Sequence, residues 1–393
     1  MPTSALHWCW FDRPELVPRS HTREGGDRLK KWWRPAVAST AGFRLRVEPL
    51  KVSHLSQIAS VPDACSSIQN SALQSLLVQS WFSRLEQFLP DPLNARLTRV
   101  LALIESSCES TDQIETLLLM RSGNRRSSCW NLDLLSLASP RHFSRQQGLR
   151  LLVQQALSDD IARCRSWLVR CDPLDQPQLD VLREFGFQPL RQVRVWNPPN
   201  AAASSSPESK SSELPPDGLC WNSLNRDNAR QLLALEQASI SPQHRQILDR
   251  QWCDLLDLSG SGSMVLTVDR DGTNAVIAGL IRRPWGMDSP RLEVLRGPAW
   301  DERIGSGLPA ALSQLLNQQC SPSLLVPEED DQLRAVLANH GWQEGNLEMM
   351  LGRSIWRRVH QRNLGGLRPL ESMLGRLQPQ QPPLPNPSLA PRR

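Results

Sequence analysis

The sequence predicts an α/β protein that contains two copies of one domain, and two repeated features support this prediction. A helix-like segment runs into a Gly-aromatic pair and then a strand at Gly186, and the same pattern returns at Gly341. A glycine also opens a helix upstream of each pair, at Gly148 and at Gly305. The Gly-aromatic pairs lie 155 residues apart and the helix-opening glycines 157 residues apart. Because two independent markers keep nearly equal spacing, we interpret the chain as a tandem duplication.

The first copy shows strand and helix patterns in a clear order. Alternating apolar residues predict strands, and apolar residues at spacings of three and four predict helices. A long amphipathic helix, ended by prolines, is among them. The predicted elements are strand 43–47, helix 53–58, helix 68–89, strands 99–104, 113–120 and 129–138, helix 148–157, strand 166–170, helix 175–185 and strand 192–196.

The second copy repeats this order after a Pro/Ser-rich segment. Its predicted elements are strand 219–221, helix 226–238, strands 264–269, 276–282 and 291–296, helix 308–319, strand 323–326, helix 330–340 and strand 347–351. Pro309 fits the first turn of its helix, where a missing N–H is tolerated.

Composition shifts set the predicted domain boundaries. We expect a loose N-terminal extension (1–40), a first domain (41–196), a Pro/Ser linker (197–218), a second domain (219–358) and a disordered Arg/Pro-rich tail (359–393). Two domains of this size agree with the usual range.

Charge and cysteine usage exclude several classes of protein. The net charge of +5 is concentrated at the ends, and residues 352–393 carry eight Arg against one Glu, which we interpret as solvated tails on a mildly acidic body. Nine scattered cysteines without a Cys-x-x-Cys pair predict neither a disulfide framework nor a zinc site, so no metal is expected. Without a long apolar run or a signal sequence, the predicted location is the cytoplasm, and no membrane partner is expected.

A strand that turns into a helix through a glycine-bearing loop marks both copies. The first reads Ser139 to Arg150 and the second reads Gly297 to Gly307. The first backbone N–H groups of a helix lack partners, and the helix dipole favours negative charge there, so such a loop can bind a phosphate. A glycine at this place lets phosphate oxygens approach the backbone. The commoner explanation of a single such glycine is local geometry.

The order of hairpin strands, glycine loop, helix, strand, helix, Gly-aromatic pair and strand resembles the GNAT superfamily of N-acetyltransferases. Their cofactor loop reads Gln/Arg-x-x-Gly-x-Gly/Ala. Here Arg145 to Gly148 match its first four positions, whereas Arg150 replaces the last small residue. In the second copy Gly305 and Gly307 match both small positions, but Glu302 replaces the Gln or Arg. The resemblance covers about 43–196 and 219–353 and implies, in each copy, a mixed, mostly antiparallel sheet flanked by helices.

The resemblance implies acetyl-CoA as co-substrate and an amine as acceptor. The pyrophosphate would then lie on the N–H groups of 146–150, with pantetheine along strand 134–138. The first copy is favoured because its loop carries arginines, whereas the acidic Glu302 opposes a phosphate. The predicted cofactor-binding residues are Arg145, Gln146, Gln147, Gly148, Leu149 and Arg150 in the first copy, and Arg303, Ile304, Gly305, Ser306 and Gly307 in the second.

The resemblance also implies a general base and a general acid. The family's base is often a Glu nine residues before the loop, which corresponds to Glu293 in the second copy and to Ser136 in the first, where the nearby Asp133 is a poor substitute. The commoner explanation of Glu293 is a solvated strand residue. The family's acid is often a Tyr, but the equivalent positions are leucines and the chain contains no Tyr.

Three functions stay open at this point. The first is an acyl-CoA-dependent N-acetyltransferase that acts on an amine acceptor. The second is a non-catalytic tandem that keeps the fold as a binding or regulatory scaffold. The third is an adaptor for RNA or the ribosome that uses the basic tail, although a nucleic-acid partner is less expected than the other two.

Overall fold

The computed structural model describes most of both copies. The described residues are 37–40, 43–59, 75, 77–78, 98–107, 112–158, 164–199, 218–260, 262–270, 273–283, 291–316 and 322–355. Most of the predicted helix 68–89, most of the linker and the predicted tail lie outside them, as does the N-terminal extension up to residue 36.

The described strands follow the predicted order in both copies. In the first copy they are β1 (Val37–Thr40), β2 (Phe43–Pro49), β3 (Thr98–Ser107), β4 (Gln113–Ser122), β5 (Cys129–Ser136), β6 (Ser166–Cys171) and β7 (Gln188–Asn197). In the second they are β8 (Leu219–Ser223), β9 (Met264–Arg270), β10 (Thr273–Arg283), β11 (Arg291–Arg296), β12 (Ser323–Pro327) and β13 (Gln343–Ser354).

These strands form one continuous sheet in the order β1-β2-β3-β4-β5-β6-β13-β7-β12-β11-β10-β9-β8. Within each copy the hairpin strands pair antiparallel, whereas β5 with β6 and β11 with β12 pair parallel. The predicted fold class, an α/β protein with mixed, mostly antiparallel sheets flanked by helices, is confirmed.

The two copies exchange their last strands. The strand β7 of the first copy pairs with β12 of the second, and β13 of the second pairs with β6 of the first. The two exchanged strands also pair with each other, antiparallel, at the centre of the sheet. Each copy therefore completes its sheet with a strand from the other, which places second-copy residues beside the first copy's β5–β6 pair.

Helices cover both faces of the sheet. The described helices are α1 (Val52–Ala59), α2 (Arg145–Ser158), α3 (Gln176–Glu184), α4 (Arg226–Ser239), α5 (Pro242–Leu248), α6 (Trp252–Asp257), α7 (Glu302–Leu316) and α8 (Asp331–Asn339). On one face of the first copy, α2 and α3 bury Leu152, Leu179 and Leu182 against Trp130 and Trp167.

The helices α3 and α8 begin and end in the same way, which supports the duplication. The carboxylates of Asp175 and Asp330 each accept a hydrogen bond from a backbone N–H in the first turn. Both helices are followed by a glycine with a left-handed backbone, at φ +79° for Gly186 and φ +76° for Gly341. Glycine reaches this conformation without the penalty that a side chain imposes, so it lets the chain turn into the next strand.

Three local differences from the sequence prediction have physical causes. Within the expected loose extension, residues 37–40 form β1 because they pair with β2. The helix α7 begins at Glu302 and not at residue 308, since Asp301 caps its first turn, and Pro309 lies inside it. The short helices α5 and α6 were not predicted, because each presents too few turns for a clear apolar period. Among the described residues no helix is long and apolar enough to cross a membrane.

Candidate functional site

Both copies contain a pair of parallel strands that separate after a few residues. The strands β5 and β6 pair from Cys129–Ser166 through Leu132–Val169, and β11 and β12 pair from Arg291–Ser323 through Glu293–Leu325. Beyond these pairs each strand continues without its parallel partner, so a wedge opens between the two strand ends. The glycine loop and its helix follow the outer strand of each wedge.

The wedge of the first copy opens into a cavity of about 320 Å³. Its walls come from β3, β4, β5 and β6, from the start of α3, and from β11 and β13 of the second copy. The lining residues are Val100, Leu117, Leu119, Asp133, Leu134, Leu135, Arg170, Cys171, Asp172, Asp175, Gln178, Arg291, Asn346, Leu347 and Glu348. The cavity is apolar along the sheet and carries charged groups where the strands separate.

Asp133 is the one side chain of this wall whose carboxylate has a buried oxygen without a hydrogen-bond partner among the described residues, Oδ2. Burial raises the pKa of Asp133 above its ordinary value, and the charges of Arg170 and Arg121 oppose that rise. A carboxyl group with a raised pKa inside a cavity is suited to accept a proton from a bound molecule.

The second copy supplies a charged wall to this cavity through its exchanged strand. Glu348 on β13 accepts from Arg170 of the first copy at 2.9 Å and from Arg291 at 2.6 Å. This arrangement places a carboxylate between two guanidinium groups and holds β6, β11 and β13 in register where the wedge opens. The cavity therefore depends on both copies.

The N-terminus of α2 lies beside the wedge. Ser144 caps the helix, because its hydroxyl accepts from the N–H of Gln147 and the Gln147 amide oxygen accepts from the N–H of Ser144. The N–H groups of Arg145 and Gln146 donate to no residue that the structure describes. Of the five predicted phosphate-binding N–H groups, 146–150, only that of Gln146 keeps no partner among the described residues, and the N–H of Arg145 joins it, since those from Gln147 onward already bond within the cap and the helix.

Both arginines of this loop are held by ion pairs to α3 and its cap. The guanidinium of Arg145 contacts Asp175 at 2.6 Å, and Asp175 lines the cavity. Arg150 contacts Glu184 at 2.8 Å. Both arginine side chains are more than two-fifths exposed, and exposed ion pairs contribute at most about 1 kcal/mol, so they can open when a stronger anion binds.

The glycines of the loops pack against the sheet. A Cβ on Gly148 would lie 2.6 Å from the Leu103 side chain, and one on Gly307 would lie 3.0 Å from that of Leu266. We expected these glycines to let phosphate oxygens approach the backbone. In the structure they instead allow the helix to pack closely against the sheet. Leu149 and Ile304 are buried in the same layer and present no polar side chain to a ligand.

The loop of the second copy is closed by its own side chains. Asp301 accepts from the N–H of Arg303 at 3.0 Å and from its guanidinium at 2.6 Å. Arg296, at the end of β11, contacts Asp330 at 2.7 Å and lies over the ring of Trp300. An internal carboxylate thus occupies the helix N-terminus, and an arginine spans the mouth of the wedge. Of the other predicted residues of this loop, Ser306 donates its hydroxyl to the Glu302 carbonyl at 3.3 Å, and a Cβ on Gly305 would lie 3.4 Å from the Trp300 ring.

Glu293 lies in a buried cluster of charges between the copies. It forms ion pairs with Arg283 and with Arg191 of β7, and only 4% of the residue is exposed. Burial opposes its charge, but these two arginines outweigh burial and lower the pKa of Glu293. A general base must exchange protons with its substrate, whereas this carboxylate stays ionised and enclosed. Its contacts favour a structural role.

A pair of carboxyl groups lies beneath the loop of the first copy. Glu105 and Glu115 are both buried and share a hydrogen bond. Glu105 also accepts from the N–H groups of Arg141 and His142 at 3.2 and 3.1 Å. Burial, followed by the hydrogen bond and charge of Glu105, raises the pKa of Glu115 to about 8. One proton shared between these groups supports the chain just before α2.

The positions where the resembling family often carries Tyr hold buried leucines. Leu182 and Leu337 are 1% and 0% exposed and belong to the two cores. No realignment of these helices brings a phenol to the wedge, because the chain has no Tyr.

Comparisons with known proteins give structural neighbours only. No family model matches the chain, and no curated protein matches it. A GCN5-related N-acetyltransferase from Sphaerobacter thermophilus is 11% identical, with a TM-score of 0.45 over 79% of this chain and 95% of that chain. A tandem GNAT protein from the clavulanic acid biosynthesis pathway is 12% identical, with a TM-score of 0.46 over 79% of this chain and 98% of that chain. A Drosophila protein is 14% identical, with a TM-score of 0.48 over 79% of this chain and 98% of that chain. At these values the likenesses carry no functional argument, and the fold rests on the strand order described above.

Proposed function

We propose that the first copy is an acyl-CoA-dependent N-acyltransferase that transfers an acetyl group to an amine. The observation that carries this proposal is the wedge between β5 and β6, which opens into a cavity of about 320 Å³ with Asp133 in its wall. Beside it lies a helix N-terminus with two cationic side chains and with two N–H groups that have no partner in the described part of the chain. This combination suits a ligand that has an anionic end and an extended, weakly polar arm.

In this proposal the pyrophosphate of acetyl-CoA is held by the N–H groups of Arg145 and Gln146 and by the guanidinium groups of Arg145 and Arg150. Gln147 fixes the cap, while Gly148 and Leu149 set the depth of the helix against the sheet. The pantetheine arm follows the free edge of β5. The second loop, residues 303–307, is a weaker candidate, because Asp301 already occupies its helix N-terminus.

The reaction needs a base that prepares the acceptor. An ammonium group must lose one proton before its lone pair attacks the thioester carbonyl, and we assign that proton to Asp133. The amine nitrogen bonds to the carbonyl carbon as the carbon–sulfur bond breaks, and the second proton that this nitrogen loses passes through water to the departing thiolate of CoA. Glu293, the base expected from the sequence, keeps only a structural part in this proposal.

The second copy then serves as a scaffold. Its wedge is spanned by Arg296, yet it supplies Arg291 and Glu348 to the first copy's cavity. A fully non-catalytic tandem is the second candidate, favoured by the closed second loop and by the lack of Tyr. The adaptor hypothesis depends on the basic tail, which lies outside the described residues.

The test is acetyl transfer by the full-length protein. Purified protein is incubated with acetyl-CoA and a panel of primary amines, and release of the CoA thiol is followed together with acetylation of the amine. We expect Asp133→Asn to lower kcat by about 100-fold or more and to leave the KM for acetyl-CoA unchanged, since a general base contributes that much. Glu293→Gln is the comparison variant. It should lower the stability of the protein and change kcat much less than Asp133→Asn does. Binding of acetyl-CoA without turnover of any amine would favour the scaffold.

A further inference from the structure

A second cavity, which is small and lined by charged side chains, lies where the two copies meet. It measures about 20 Å³, and its polar wall consists of Arg170, Arg191, Glu236, His244, Arg250, Arg283 and Glu293. Its apolar wall includes Leu168 of β6 and Leu325 of β12, so both copies enclose it. The volume suffices for one particle of about the size of a water molecule.

The charges around this cavity do not cancel. Arg283 contacts both carboxylates, those of Glu293 and Glu236, while Arg191 contacts the first and Arg250 the second. Three guanidinium groups thus share two carboxylates, which leaves one positive charge over in a buried place, where an uncompensated charge is costly. The neighbouring Arg170 is outside this cluster, because it shares Glu348 with Arg291 and lies near the carboxyl of Asp133.

Several donors of the wall also lack acceptors. Arg191 Nε, Arg250 Nε and Arg283 Nη1 are buried without a hydrogen-bond partner among the described residues. The ring nitrogen His244 Nε2 is also buried without a hydrogen-bond partner among the described residues, and His244 is only 2% exposed. Burial, reinforced by the charge of Arg191, lowers the pKa of His244 to about 3, so the ring is neutral and adds no charge.

The number of donors distinguishes an anion from water. A water oxygen accepts about two hydrogen bonds and brings no charge. A monatomic anion accepts from all sides and supplies the one negative charge that the cluster lacks. Carboxylates and phosphates are too large for a cavity of about 20 Å³.

We propose that this cavity binds one chloride ion, held by Arg191, Arg250 and Arg283, which fastens the exchanged strand β7 to the second copy. Bound chloride completes the ion cluster that joins β7 to α4, β10 and β11. The site is separate from the acyltransferase wedge and does not depend on the proposed activity.

The first experiment measures the thermal unfolding of the full-length protein at constant ionic strength, with gluconate replaced stepwise by chloride. A ligand that binds only the native state raises Tm in proportion to the logarithm of its concentration above Kd, here by about 2 °C for each tenfold increase. We expect bromide to act like chloride. A Tm that does not depend on which anion is present would overturn the proposal.

A pair of variants and a direct observation complete the test. Arg191→Gln should move the chloride midpoint at least about tenfold upward, because it removes a charge and a donor. The matched control is Arg183→Gln, an exposed arginine on α3 that should leave the midpoint unchanged. If Arg191→Gln does not fold, the dependence of the wild-type Tm on chloride still tests the proposal. Crystals grown in bromide should give one anomalous peak between these three guanidinium groups, and a water there, or bromide elsewhere only, contradicts the assignment.

Discussion

Arg296 and Asp330 form an ion pair of 2.7 Å that joins the end of β11 to the start of α8, across the mouth of the second wedge. The equivalent aspartate of the first copy, Asp175, instead contacts Arg145 on the helix that follows the loop, at 2.6 Å. The same cap residue thus pairs with the strand end in the second copy and with the following helix in the first, where the cavity of about 320 Å³ lies. This difference is our main reason for assigning ligand binding to the first copy.

The charge cluster at Glu293 should support stability more than chemistry. Glu293→Gln leaves Arg283 and Arg191 without their shared carboxylate, and breaking a buried pair in this way costs about 3–5 kcal/mol. Urea unfolding should show this loss in the free energy of unfolding. The control Glu302→Gln changes the same charge at an exposed helix position and should stay within about 0.5 kcal/mol of the wild type. Equal stability of the two variants would remove the structural role of Glu293.

Glu115 should make stability depend on pH. Its pKa in the folded chain is about 8, above the ordinary value of 4.5, so the folded state binds its proton more tightly than the unfolded state does. That contribution is complete below about pH 4.5 and is lost as the pH rises through 8.

The measurement for Glu115 is Tm against pH for the wild type and for Glu115→Gln, which keeps a donor towards Glu105 without a titrating proton. The variant should gain Tm relative to the wild type as the pH rises from about 4.5 to about 8, and the difference should then level off. Glu302→Gln again serves as the control for net charge. Parallel curves for wild type and variant would show that the proton is not held there.

Gly148 should be needed for packing whether or not a ligand binds. Alanine at this position would bring its Cβ to 2.6 Å from the Leu103 side chain, so the helix or the leucine must shift. We expect Gly148→Ala to cost about 1–3 kcal/mol of unfolding free energy without any ligand. At Gly305 the nearest atom lies 3.4 Å away, so Gly305→Ala should cost less, and equal losses would refute the packing explanation.

The sequence predicted the order of the elements well, because periodicity and glycine positions are local signals. The helix starts near Asp175 and Asp330 and the glycine turns after α3 and α8 were predicted for this reason. The exchange of β7 and β13 could not be predicted, because a strand has the same alternation of apolar residues whichever copy it pairs with.

The site could be predicted only in part for a similar reason. The loop at Arg145 was visible as a motif, whereas the partners of Glu293 come from Arg283 and from Arg191, which is 102 positions away. From the sequence, Asp133 was expected to be a poor substitute for the base at position 136, and the proposal reverses this expectation. The importance of Asp133 depends on burial at the place where β5 and β6 separate, which sequence spacing does not reveal.

The most direct test of the account is calorimetric titration of the full-length protein with acetyl-CoA. We predict saturable binding that Arg145→Glu weakens by about 10- to 100-fold, because charge-assisted contacts to the phosphates are lost, and that Arg303→Glu leaves unchanged. No binding of acetyl-CoA, or a loss caused by Arg303→Glu and not by Arg145→Glu, would contradict the assignment of the open wedge.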